Sequence, residues 1–131
     1  MIVREEIRVN DFLPAGSDSE SGAVVTFAGV VRSENGGRAV TEIFYDCYDE
    51  LATKEIDRIA DELKAEGTVN EVCVVHRVGA VSAGETSLFV VVRAAHRREA
   101  FDAVARVVEE IKYRVPIWKK EHYADQTTRW L

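Results

Sequence analysis

Two uninterrupted apolar runs constrain the fold of this chain more than any other feature. They are AVVTFAGVV at residues 23–31 and SLFVVV within residues 85–94. Each is far short of the ~20 apolar residues that cross a bilayer. Continuous, β-branched runs of this length read as strands buried on both faces of a sheet. Such strands need cover, and two amphipathic segments can supply it. Residues 49–66 carry the stripe Ala52, Ile56, Ile59, Ala60 and Leu63, with Asp49 at the N-terminal end and Gly67 as the stop. Residues 97–113 carry Phe101, Val104, Ala105, Val108 and Ile111 at helical spacing.

The remaining elements follow in order. Residues 2–9 (IVREEIRV) read as a strand, and residues 10–22, with Pro14, Gly16, Ser17, Asp18 and Ser19, as an irregular loop. Residues 32–39 (RSENGGRA) form a polar loop that Gly36-Gly37 would keep mobile until a ligand orders it. Residues 40–45 suit the returning strand of a hairpin, and residues 69–78 a strand running to a turn at Gly79. The tail, 117–131, is expected to be extended and then irregular. The chain is the size of one domain, 1–131, without internal linker or repeat. The expected class is α+β, with two helices on a largely antiparallel sheet.

Charge narrows the function. The net charge of −6 argues against general nucleic-acid binding. Yet residues 93–120 hold eight basic side chains against four acidic ones, on an otherwise acidic body. That distribution suits a small anionic ligand better than a long polyanion. The N-terminus is charged and has no signal-peptide core, so a cytoplasmic protein with no membrane role is expected.

The basic residues concentrate at two places. In IKYRVPIWKKE (residues 111–121), Lys112 projects into the apolar stripe of the second helix, Pro116 stops that helix, and Lys119 follows the break. A lysine on a core-facing stripe must snorkel or find an anion. One desolvated beside other cations has a lowered pKa and can act as a base or nucleophile. On the residues alone, snorkelling for Lys112 and a solvated loop for Lys119 are the favoured readings, and the functional one stays open beside them. At the other place, His96, Arg97 and Arg98 stand where a buried strand ends and a helix begins. Arginines in a first turn oppose the helix dipole by ~0.3–1 kcal/mol each. An anion bound at the free N–H groups would offset this, and so would Glu99 and Asp102 as local partners. Arg32 closes the first apolar strand at the mouth of the Gly-Gly loop.

Other candidates are weaker. Cys73 reads as a reduced core residue, while Cys47, between Asp46 and Tyr48, has no histidine beside it to make a nucleophile. His76, within a strand, reads as structural. No His/Cys/carboxylate set has metal-ligand spacing, and neither a P-loop nor GxGxxG is present, so no metal is expected.

Four blocks then carry a likeness. GAVVTFAGVVR (22–32), VVHRVG (74–79), AAHRREAF (94–101) and IKYRVPIWKKE, followed by Arg129-Trp130, resemble the large, catalytic subunit of molybdopterin synthase in colinear order. The resemblance implies an α/β hammerhead with an additional small β portion. It implies a sulfurtransferase activity that converts cyclic pyranopterin monophosphate into the dithiolene of molybdopterin, in molybdenum cofactor biosynthesis. The implied sulfur donor is the C-terminal thiocarboxylate of a small ubiquitin-like carrier subunit ending in Gly-Gly. The implied assembly is a heterotetramer around a central homodimer, with pockets built from both protomers. The pterin would be substrate, with no resident cofactor. Lys112 and Lys119 match the family's active-site lysines, His96 and Arg97 its pterin- and phosphate-binding pair, and Arg32 its early arginine. Arg98 joins these as a further phosphate contact on charge grounds. Two departures stand out: Val30 replaces a lysine frequent in the family, and the chain stops at Leu131. A non-catalytic domain that binds a small phosphorylated ligand, or a basic scaffold for an acidic partner, would also account for the charge pattern.

Overall fold

The computed structural model describes residues 1–14, 16 and 18–131. The two apolar runs are adjacent strands, β2 (Ala23–Val30) and β7 (Thr86–Ala94), paired antiparallel from Ala23↔Ala94 to Val30↔Thr86. Only β7 is buried on both faces: β2 lies at the sheet edge and alternates half-buried with exposed residues, Val24 being 51% and Val30 49% exposed. They belong to a four-stranded sheet of order β1-β5-β7-β2, where β1 is Ile2–Val3 and β5 is Val69–Arg77. Every β7 residue from Ser87 to Ala94 is buried. Leu88, Val90, Val92 and Ala94 pack under the helices, while Phe89 and Val91 turn to the opposite face.

The helices are α1 (Asp49–Ala65) and α2 (Arg97–Arg114). The α1 stripe is as read, with Ala52, Ile56, Ile59 and Leu63 buried against the sheet. The α2 stripe is turned from the expected one: Ala100, Ala103, Val104, Val107 and Ile111 are buried, whereas Phe101 is 59% exposed. Because α2 packs against α1 as well as the sheet, small alanines at 100 and 103 face the core and permit close approach. Lys112 therefore lies outside the core face and is exposed, contrary to the sequence expectation. Arg114 ties the helices together, with Nη1 2.7 Å from one Glu62 oxygen and 3.2 Å from Glu110, and Nη2 3.4 Å from Glu55.

A second, five-stranded sheet is built around β4 (Arg38–Cys47). The strand β8 (Ile117–Tyr123) pairs along it, β9 (Thr128–Trp130) adds to β8, and β6 (Gly79–Ser82) and the short β3 (Glu34–Asn35) also pair with β4. Residues 40–45 thus lie in a strand, but its neighbours are β8, β6 and β3, not β2. Residues 32–39 contain a closed hairpin rather than an open loop. Gly36 and Gly37 both have positive φ, 57° and 80°, as a two-residue turn matched to strand twist requires. The tail holds two strands where one was expected. The N-terminal strand is shorter than read: β1 pairs parallel with the last two residues of β5, at Ile2↔His76 and Val3↔Arg77. β5 ends there, so the strand pairing stops before Arg4, whose side chain instead pairs with Asp49. Ile7, Val9 and Phe12 instead fold across the back of the sheet, with Val9–Phe12 a 3-10 turn. The loop expected at 10–22 includes positions 15 and 17, which lie outside the described residues.

At the start of β2 the backbone passes close to the strand end that precedes α2. Gly22 N donates to the Ala95 carbonyl at 3.2 Å, and a Cβ on Gly22 would stand 2.4 Å from that oxygen. Gly22→Ala is expected to lower stability by about 1–3 kcal/mol through backbone displacement. The urea midpoint measures it, and an unchanged midpoint would show that the strand has room to move.

Candidate active site

Proline makes the corner on which this site is built. α2 ends at Arg114, and Val115 takes the extended conformation (φ −87°, ψ 127°) that a following proline favours. The chain then enters β8, which alternates. Ile117, Lys119, Glu121 and Tyr123 share one face, and Trp118, Lys120 and His122 the other. Register places Lys119 across from Tyr45 of β4. Lys112 belongs to the last turns of α2, beside the same corner.

The two lysines line one cavity of about 220 Å³. Its walls are largely apolar, with Phe27 and Gly29 of β2, Leu88 of β7, and Val108 and Ile111 of α2. Buried polar groups, Tyr45, His76 and Ser87, line it as well. Lys119 and Tyr45 also line a second cavity of about 200 Å³, together with Arg32, Asn35 and Glu121. Lys119 thus stands between two chambers, with Lys112 in one and Arg32 in the other. Val30, at the position where the family resemblance has a lysine, borders the second chamber as an apolar wall.

Glu121 is 3% exposed and was missed in the sequence. Asn35 Nδ2 donates to both of its oxygens at 3.0 Å, and the Tyr123 hydroxyl donates to Oε1 at 2.8 Å. A buried carboxylate is tolerable when donors surround it in this way. Strand alternation is the signal that could have found it, since it lies two residues beyond Lys119.

His96, Arg97 and Arg98 are elsewhere. They line a wide recess of about 540 Å³ at the N-terminus of α2, with Gly22, Ala95 and Glu99. His96 precedes the first turn with extended backbone and makes no side-chain cap. All three side chains are exposed. Arg97 and Lys112 are fifteen residues apart along one helix, which separates them by about 22 Å. Within a single chain the structure therefore brings Lys112, Lys119 and Arg32 around adjoining chambers, and keeps His96, Arg97 and Arg98 apart from them.

Cys47 donates from Sγ to Asp49 Oδ1 at 3.1 Å. Burial, followed by that carboxylate, pushes its thiol up to about 12, so Cys47 stays protonated and is no nucleophile at neutral pH. His76 is buried, and its Nδ1 lies 2.8 Å from the Arg77 carbonyl, an acceptor that fixes the proton on Nδ1. Its ring meets Tyr45 edge-on at 5.3 Å. Burial lowers His76 from 6.5 to about 4; the Arg77 carbonyl opposes this and the Lys119 charge adds to it. The unfolded chain binds this proton first, so the contribution to stability is complete above about pH 6.5 and is lost as pH falls towards 4. The wild type should lose about 2–3 kcal/mol more than His76→Gln between pH 7.5 and pH 4.5, at 1.36 kcal/mol per pKa unit. Parallel urea titrations of the two proteins measure the difference, and equal pH slopes would contradict the assignment.

Comparisons with known proteins identify the family and the fold. Residues 2–114 match the family described as MoaE protein. The molybdopterin synthase catalytic subunit of Pyrococcus abyssi is 41% identical over 127 residues, 97% of this chain and 85% of the relative. The crystal structure of molybdopterin synthase from Staphylococcus aureus superposes with a TM-score of 0.91 at 32% identity, covering 99% of this chain and 94% of that one. A chain in the complex of subunits 1 and 2 of the molybdopterin-converting factor from Helicobacter pylori shares the fold, with a TM-score of 0.78 at 20% identity over 98% of this chain and 87% of that one. The fold is that of molybdopterin synthase, with two helices on mixed sheets, and the chain belongs to the MoaE family of molybdopterin synthase catalytic subunits.

Proposed function

We propose that this chain is the sulfur-transferring subunit that converts cyclic pyranopterin monophosphate to the dithiolene of molybdopterin. The sulfur comes from the thiocarboxylate at the Gly-Gly terminus of a small ubiquitin-like carrier. The observation that carries the reading is the meeting of Lys112 and Lys119, from different elements, in one largely apolar cavity beside a chamber that holds Arg32.

The chemistry needs two anions at one place. The phosphate of the pterin requires fixed cations, for which Arg32 is available in the chamber next to Lys119. The thiocarboxylate requires a positive charge, and Lys119, exposed between the chambers, supplies one. Sulfur then replaces oxygen on the pterin side chain. Lys112, exposed at the α2 end of the cavity, is placed to move protons as the oxygen departs. Water must cleave the acyl–sulfur bond for sulfur to remain on the pterin and a carboxylate on the carrier. Two carriers are consumed per dithiolene. On this reading the pterin is a substrate and the chain has no resident cofactor.

His96, Arg97 and Arg98 enter through assembly. About 22 Å of helix parts them from the lysines of their own chain, so a central homodimer would let one protomer's recess complete its partner's pocket. A carrier at each end makes a heterotetramer. The complex of the two subunits known for the Helicobacter pylori relative supports the carrier as partner. Among the described residues no helix is long and apolar enough to cross a membrane. On this reading the reaction belongs to the cytoplasm.

Incubation with the cyclic pterin phosphate and thiocarboxylated carrier, followed by detection of dithiolene product, tests the reading. Lys119→Ala should slow product formation by about 10²–10⁴-fold without preventing folding. Near-normal turnover by that variant would remove Lys119 from the mechanism. Binding of the pterin phosphate by wild type without any product would instead favour a ligand-binding domain that lacks catalysis.

A further inference from the structure

The residues of β2 that turn towards α2 are Ala23, Val25, Phe27 and Gly29, the half-buried members of its alternating pattern. Val25 and Phe27 line an open recess against the helix, together with Val104 and Val108. Phe27 and Gly29 border the lysine cavity, and of the two only Gly29 sends no side chain towards it.

Nothing in the fold requires glycine there. Gly29 is not among the glycines with positive φ. A Cβ built on it would lie 3.4 Å from the Phe27 ring and 3.5 Å from Leu88 Cβ, which is ordinary van der Waals contact. The strand register shifts between Gly29 and Val30, but such a bulge demands glycine only when its first residue is left-handed. Glycine within a strand is otherwise unfavourable. The wall is also held in place, since buried Ser87 donates from Oγ to the Gly29 carbonyl at 3.3 Å. A side chain at position 29 could not be accommodated by retreat of the strand and would extend into the cavity.

The geometry points to Gly29 as a specificity-determining residue: its missing side chain sets the bore of the lysine cavity, so that an extended peptide terminus without side chains reaches Lys112 and Lys119. The inference rests on the carrier-dependent reading above and adds the residue that selects the carrier's tail. Size supports it. At about 220 Å³ the cavity is below the roughly 300–1,000 Å³ that enclose a drug-sized ligand. Phe27, Leu88, Val108 and Ile111 make one part of its wall apolar, and Tyr45, His76, Ser87 and Glu109 line it beside the lysines. Glycine on the protein and glycines on the ligand are then two halves of one steric requirement.

The test uses the intact chain with two carrier subunits, one ending in Gly-Gly and one in Ala-Ala, and reads binding by calorimetry. Wild type should favour the Gly-Gly carrier by about tenfold or more, the scale of one added methyl or methylene group in a fitted pocket. Gly29→Ala, which adds one methyl group, should weaken Gly-Gly carrier binding by about tenfold, and Gly29→Val by more. Gly29→Ala should keep a melting temperature at or above that of wild type, an outcome opposite in sign to its loss of binding. If Gly29→Val does not fold, Gly29→Ala decides alone. Binding of the Gly-Gly carrier by the folded variants within experimental error of wild type overturns this inference and leaves the function standing. Failure of wild type to bind either carrier overturns both.

Discussion

The pairing of β8 with β4 is the constraint on which the site depends. Opposing strands fix which face each side chain takes, and a slip of one residue exchanges the faces. In the observed register, Tyr45 opposes Lys119 and Asp46 opposes Trp118. A one-residue slip would put Trp118 towards the chambers and Lys119 on the outer surface. Buried Tyr123 and Glu121 on the same face resist that slip, because they are enclosed on one side only. Pro116 matters for the same reason: it sets where the helix ends and therefore which residue is first to pair.

Most of the layer architecture was legible in the sequence. The run at 85–94 and the stripe of α1 announced a buried sheet under helices, whereas the run at 23–31 misled on burial, because the outward residues Val24 and Val30 of this edge strand are apolar as well. The second sheet was less legible. β6 has four residues and β3 two, too few for periodicity to register, and their partners are distant in the chain. The α2 stripe was misread by about one position because two alanines, not the larger Phe101, face the core. Helix-stripe reading weights bulk, and close packing against two neighbours favours small side chains. The same misreading placed Lys112 inward.

At the site, the lysines and Arg32 were found as charged residues at element ends, whereas Glu121, Tyr45, His76 and Ser87 were not singled out for it. Their proximity is a product of strand pairing, β4 with β8 and β5 with β7, between segments that local pattern cannot relate. The electrostatics that result are mixed in sign. Lys119 borders a chamber that contains both the Arg32 guanidinium and the buried carboxylate of Glu121. Cys47, whose sulfur suggests chemistry, is held as a neutral thiol by burial and Asp49, and His76 is held neutral by burial.

The α2 helix carries charged groups at both ends, and a helix does not stretch. Eighteen residues fix the separation and the relative bearing of the two ends at once. One inserted residue would lengthen the rod by about 1.5 Å and swing one end through about 100° relative to the other. Its length is therefore a dimension that drift cannot alter in single steps, while the loops around it remain free to vary. Relatives that keep both ends in use should preserve the count of residues between them even where the residues themselves differ.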